Sequence, residues 1–156
     1  MSEQMCGWIS KIQEFFNRAT SALTEEDSGF VPAEGMYSVA HQVNHVADTI
    51  HWFIDGGLEH KGFDMDFEAH DRRSRSVSSL TEARANLDAA FERLQKTVAG
   101  YSQEDLMVTI PADSPIMPGM PRTAVLSGID EHTAHHRGSL AVYTRLLGKV
   151  PPMPYM

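Results

Sequence analysis

The stretch from Pro121 to Leu147 limits what this chain can become more than any other. Val125, Ile129, His132, His136, Leu140, Tyr143 and Leu147 recur at spacings of three and four, the period of one face of an α-helix. At 1.5 Å per residue the helix would reach roughly 36 Å, and so long a stripe needs other helices of similar length to cover it. Gly148 supplies the stop, and Pro151-Pro152 prevents continuation. Two imidazoles sit in the middle of the stripe. His132 and His136 project about 40° apart and one turn along, so both can close on one metal ion, at roughly 2.0–2.1 Å for zinc. The competing explanation is a pair of core histidines satisfied by hydrogen bonds, since a buried ring must find a polar partner in any case. With 8 histidines in the chain, one pair at this spacing is a weak signal; His41 and His45 repeat it nearer the N-terminus.

Three further segments have a helical period. Met5, Ile9, Ile12, Phe16, Ala19 and Leu23 mark an amphipathic helix over residues 5–23, with Lys11, Glu14 and Arg18 outward and Trp8 and Phe15 flanking as packing residues. Ser38 is a good N-cap for a second helix running to about Asp55, stopped by Gly56-Gly57, with Val39, Val43, Val46, Ile50, Phe53 and Ile54 inward. On the opposite side of that helix lie His41, His45, Asp48, Thr49 and Trp52. Periodicity by itself reads this strip as a solvated polar face. The other reading, a cavity lining, draws on Trp52, a large aromatic that is an unusual choice for open solvent. His51 points elsewhere and reads as surface. Ser79-Leu80-Thr81-Glu82 has the capping-box pattern and opens a third helix with Leu87, Phe91, Leu94 and Val98 inward, closed by Gly100.

Two long connections remain. Residues 58–78 are polar without a sustained period and read as a solvated crossover; Glu59, His60, Asp64, Asp66, Glu68 and His70 there are a reserve of further ligands, and Arg72, Arg73 and Arg75 a solvated basic cluster. Residues 101–121 hold Pro111, Pro115, Pro118 and Pro121, which argues against helix and leaves a long ordered loop or a short extended piece around 107–110. The expectation is an all-α protein: a single four-helix bundle domain over residues 1–156 with one or two crossovers.

The net charge of −8 and pI of about 5.4 argue against nucleic acid or an anionic membrane as partner. A single cysteine, Cys6, excludes an internal disulfide, and the helically spaced apolar residues of the N-terminus do not read as a signal peptide. No apolar run approaches the length of a membrane span. These features together predict a cytoplasmic protein.

Three pieces of sequence carry a family resemblance. They are Tyr37-Ser38 followed by Val43-Asn44-His45-Val46, the run His132-Thr133-Ala134-His135-His136-Arg137-Gly138, and the tail Tyr143-Thr144-Arg145-Leu146-Leu147-Gly148 before Pro151-Pro152. The chain resembles the DinB-like, YfiT-like superfamily of candidate metalloenzymes. The resemblance implies a four-helix bundle in up-up-down-down order and one divalent metal held by three histidines, which fall on His45, His132 and His136. It therefore puts His45 in a site where periodicity put it on a solvated face. His41 and His135 match no ligand position. Arg137 and Gly138 belong to the motif; Arg137 could pair structurally with an acidic residue or meet an anionic substrate group, and the structural role is the favoured one.

Three imidazoles with an open fourth position are the arrangement of a catalytic metal rather than a structural one. Such an ion stabilises a thiolate, lowers the pKa of bound water or polarises a carbonyl. The expectations are a thiol-dependent S-transferase or isomerase using a low-molecular-weight thiol, as in some relatives, or a metal-dependent hydrolase. The rival is a non-catalytic metal-binding, stress-associated bundle. Asp48, on the face of His45, is the candidate base or supporting partner. Tyr143 is expected to pack in the core, and Met107, Met117, Met120, Met153 and Met156 to supply an adaptable apolar surface. Zinc, nickel, iron and copper all suit imidazole; zinc, nickel or iron is expected here, in a homodimer acting on a small molecule.

Overall fold

The computed structural model describes all 156 residues, Met1–Met156. Long helices form wherever the apolar period is sustained: α1 (Ser2–Ala19), α2 (Val39–Phe53), α4 (Leu80–Ala99) and α6 (Ala124–Leu146). Two short helices, α3 (Phe67–Arg75) and α5 (Gln103–Met107), lie in the connections. The stripe residues expected to face inward on α1, α2 and α4 are all buried. No helix is long and apolar enough to cross a membrane.

The ends of the helices follow local chemistry. The first helix stops at Ala19, short of the expected residue 23: past Thr20 the amides of Ser21 and Leu23 bond three residues back, to the Arg18 and Thr20 carbonyls, and the chain continues in tighter turns. Leu23 is nonetheless buried. Ser38 caps α2 as expected, its Oγ accepting from the His41 amide, and here the reciprocal residue is His41 itself, whose Nδ1 accepts from the Ser38 amide. Ser79 caps α4 through the Glu82 amide. Beyond Phe53 the helix widens into a π-turn, Ile54–Leu58. A Cβ on Gly57 would stand 2.5 Å from Val125 Cγ2, so only glycine lets the start of α6 approach this closely.

The helix directions can be read from contacts along each pair. Ser10 meets Gln95, Gln13 meets Asp88, and Thr20 meets Arg84, so α1 and α4 are antiparallel. Asn44 meets Asn86 and His51 meets Arg93, so α2 and α4 run parallel. Gln42 meets Ser139 and His45 meets His132, so α2 and α6 are antiparallel. Helices α1 and α2 each pack on both α4 and α6, which puts α1 and α2 at opposite corners. The order is therefore up-down-down-up, and the expected up-up-down-down order is corrected. The connection with the longest return is then α2 to α4, because parallel neighbours require the chain to travel back along the bundle.

That return explains α3. Residues 58–78 were expected to be a solvated crossover without helix; instead Phe67–Arg75 is helical, with Asp66 as N-cap accepting from the Ala69 amide. It runs back along α2, as the pairs Trp52–Asp64, Asp48–His70 and Asn44–Arg73 show. Only Ser74 of this helix is buried, so it has no apolar stripe to reveal it in the sequence. The Arg cluster is correspondingly on a helix rather than in a loop: Arg73 donates to Asp48 and Arg75 to Asp71. A second correction concerns residues 101–121. The prolines begin only at Pro111, which leaves Ser102 and Asp105 free to form a capping box around α5. The expected extended piece reduces to an isolated antiparallel bridge between Thr109 and Pro121.

Candidate metal centre

α2 presents His45 and α6 presents His132 and His136, and one nitrogen from each lies within 4.8 Å of the others. The closest pair is His45 Nε2 and His132 Nε2 at 3.2 Å. Two ligands at 2.0–2.1 Å on a tetrahedral zinc are about 3.3 Å apart, so this spacing suits a shared ion. Polar neighbours hold the outer edges of the rings. His136 Nδ1 is 3.2 Å from Gln42 Oε1; an amide oxygen only accepts, so Nδ1 carries the hydrogen and Nε2 is left free. His45 Nδ1 is 3.2 Å from the Ser74 hydroxyl; Thr49 Oγ1 instead lies 3.5 Å from the inward His132 Nε2, the nitrogen that faces His45.

Charge is disfavoured in this cluster. Burial, reinforced by the neighbouring imidazoles, pushes His132 down to about 4 and His136 down to about 3, and burial lowers His45 as well. All three are therefore neutral near pH 7, the form that binds a metal. A donor set of three neutral imidazoles fits zinc, nickel or iron.

A cavity of about 490 Å³ opens against His45 and His132, between α2, α3 and α6. One wall is apolar, made by Trp52, Phe53, Phe67 and Met117; the other carries Asp48, His70, Glu131 and His135. A Cβ on Gly128 would come within 2.9 Å of the Phe53 ring and 2.8 Å of Met117 Cε, so the glycine gives these two side chains their room. The strip of α2 that periodicity reads as a solvated face is this cavity's wall: His45, Asp48, Thr49 and Trp52 all line it, because α3 lies across them. Only His41 of that strip stays outside, at the cap.

Asp48 does line the cavity, but both of its oxygens are engaged, by His70 Nδ1 at 2.7 Å and Arg73 Nε at 3.0 Å. His51 is not surface; it is half-buried and meets Arg93 at 3.2 Å. His135 sits exposed on the cavity rim, its ring edge-on to His136. Arg137 takes a structural part, as expected, though its partner is the hydroxyl of Tyr155 rather than an acid; with Arg18, which donates to the Pro154 and Met156 carbonyls, it straps the tail over α1 and α6. Tyr143 is buried and donates to the Tyr37 carbonyl. Sequence reasoning missed Gln42, Ser74 and the pairing of His70. For Gln42 a signal existed, since it precedes His45 by three residues; Ser74 offered none.

Fold and site together define an all-α protein with a three-histidine candidate metal centre. The chain belongs to the DinB family, which it matches over residues 1–156. Its structure is similar to that of the DinB-like protein YjoA from Bacillus subtilis, at 19% identity and a TM-score of 0.68, covering 96% of this chain and 94% of that one. It is also similar to a DinB-like protein from Bacillus cereus ATCC 10987, at 19% identity and a TM-score of 0.71, covering 94% and 91% of the two chains. Likeness at such identity speaks for the fold. Among curated proteins none matches.

Proposed function

We propose that the chain is a metal-dependent enzyme, in which His45, His132 and His136 hold one divalent ion (zinc, nickel or iron) and the adjoining cavity receives a low-molecular-weight thiol and an electrophile, as in a thiol-dependent S-transferase or isomerase. The observation that carries this reading is the position of the cluster at the wall of an open cavity. A structural site would be closed by a fourth protein ligand, whereas the group of facing donors here consists of three histidines. The ion would supply a Lewis acid that favours the thiolate over the thiol.

The chain's own residues account for the rest. Trp52, Phe53, Phe67 and Met117 would pack the apolar part of a substrate and exclude water from it. With its oxygens on His70 and Arg73, Asp48 acts as a positioning residue that holds His70 at the cavity, rather than as a free base. The negative net charge and lone cysteine support a cytoplasmic protein acting on small molecules, without nucleic acid or membrane; a homodimer is part of the same proposal.

The test is metal content by elemental mass spectrometry, on protein purified without a metal-affinity tag, for wild type, His45→Ala and His136→Ala. About one equivalent in wild type, absent from both variants, is the expected result. Metal retained in His45→Ala would remove α2 from the site. No metal after reconstitution with zinc, nickel and iron would end the enzyme reading.

A further inference from the structure

The cavity beside the histidine cluster has a charge pattern of its own. No lysine or arginine lines it, while two carboxylates do, Asp48 and Glu131. Asp48 is answered by His70 and Arg73. Glu131 has no such partner. It stands exposed on α6, between this cavity and a groove against α1, and the cations of that groove are committed elsewhere: Lys11 bonds to Glu14 and Arg137 to the Tyr155 hydroxyl. The cluster histidines that line the cavity add no compensating charge, since burial keeps His45 and His132 neutral near pH 7.

The apolar wall favours the same sign of ligand. Trp52 is held in place, its Nε1 donating to the Asp64 carbonyl at 2.7 Å and its ring packed against Phe53 and Phe63 at centroid distances of 5.1 and 4.6 Å. Phe67, at the start of α3, is 59% exposed, and of the seven phenylalanines it alone is exposed. The face of an aromatic ring carries partial negative charge, so it attracts an ammonium group and repels a carboxylate. A carboxylate without a counter-ion and rings without a cover call for one kind of group.

We propose that the ligand of this cavity is an amine: its apolar arm lies on Trp52 and Phe67, and its protonated amino group is drawn to the Glu131 carboxylate. Glu131 is then a specificity-determining residue that selects the ligand's charge and takes no part in the reaction. The inference names the substrate class of the site proposed above. It rests on that reading in taking the cavity as the substrate's place, but it does not require the metal. On a thiol substrate the sulfur would go to the histidines and the amino group to the Glu131 end, away from an ion that repels it.

Three probes share a ring and a two-carbon arm and differ only in the end group: phenethylamine, phenethyl alcohol and hydrocinnamate. Each is titrated into full-length, chelator-treated protein at neutral pH and low salt, followed by proton–nitrogen NMR at the Trp52 indole and the amides of α6. The amine should bind tightest and the acid weakest, with the amine about 3–10-fold ahead of the alcohol. Glu131→Gln should remove about 2–5-fold of that lead, and Phe67→Leu should weaken the amine by a similar factor. Asp130→Asn is the control, because it removes a neighbouring charge that borders only the groove against α1 and should leave the order unchanged. An amine that leaves the Trp52 signal unmoved, or binds no better than the alcohol, overturns the proposal. So does a lead that survives Glu131→Gln in full, or one that falls equally in Asp130→Asn. Zinc content is measured on the same preparations before chelation: no zinc with the amine preference intact refutes the metal reading alone, and zinc without the preference refutes this inference alone.

Discussion

Acidification should destabilise the metal-free protein mainly through two residues, His132 and His136. Their pKa values are pushed from 6.5 to about 4 and about 3, by burial first and then by neighbouring imidazoles, those of His45 and His135 for His132 and those of His132, His45 and His135 for His136. The sign follows from linkage: with the folded pKa below the unfolded one, the unfolded chain takes up protons first as pH falls through about 6.5, so stability is lost between there and the folded values. At about pH 5 an unfolded histidine is nearly all protonated while these two remain neutral in the fold, which costs on the order of 2 kcal/mol each, about 4 kcal/mol together. For a chain of this size that corresponds to a fall of roughly 8–16 °C in melting temperature. The assay is urea unfolding of metal-free protein at about pH 7.5 and about pH 5, for wild type and for the double variant His132→Gln/His136→Gln. Because His41, His45, His51 and His60 are also lowered, wild type carries a background pH slope. The double variant should lose most of the slope beyond that background. Equal slopes in the two proteins would refute the argument that these rings are held neutral by burial.

Two smaller predictions test the frame around the site. Ser38→Ala removes the Oγ that accepts from the His41 amide, leaving the backbone bond from residue 38 to His41 Nδ1, and should cost about 1 kcal/mol in urea unfolding, with little change in zinc binding because the cap lies away from the cluster. Gly128→Ala puts a Cβ against Phe53 and Met117; it should cost about 1–3 kcal/mol and constrict the cavity, so a crystal structure showing both side chains unmoved would contradict the packing described here.

The helices themselves were legible because burying an apolar stripe leaves a period in the sequence, and α1, α2, α4 and α6 each leave one. The pair His132 and His136 was legible for the same reason: four residues apart on one helix, they are neighbours whatever the rest of the chain does. The caps at Ser38 and Ser79 are equally local, each a matter of four consecutive residues. None of these needs knowledge of a distant contact.

What tertiary structure decided is everything that depends on which element lies against which. Periodicity can say that His45, Asp48, Thr49 and Trp52 share a face of α2, but not whether water or another helix covers it. The cover is α3, a polar helix docked through Asn44, Asp48 and Tyr37, and an element with one buried residue writes no apolar period. Helix direction likewise depends on where the connections travel, which is why up-down-down-up was not visible beforehand. The contacts of Ser74 with His45 and of Asp71 with Tyr37 each join separate elements, and nothing in the local sequence of any one of them announces them. The sequence by itself determined the helices and one edge of the site; the packing of α2, α3 and α6 turned that edge into a centre with an open cavity.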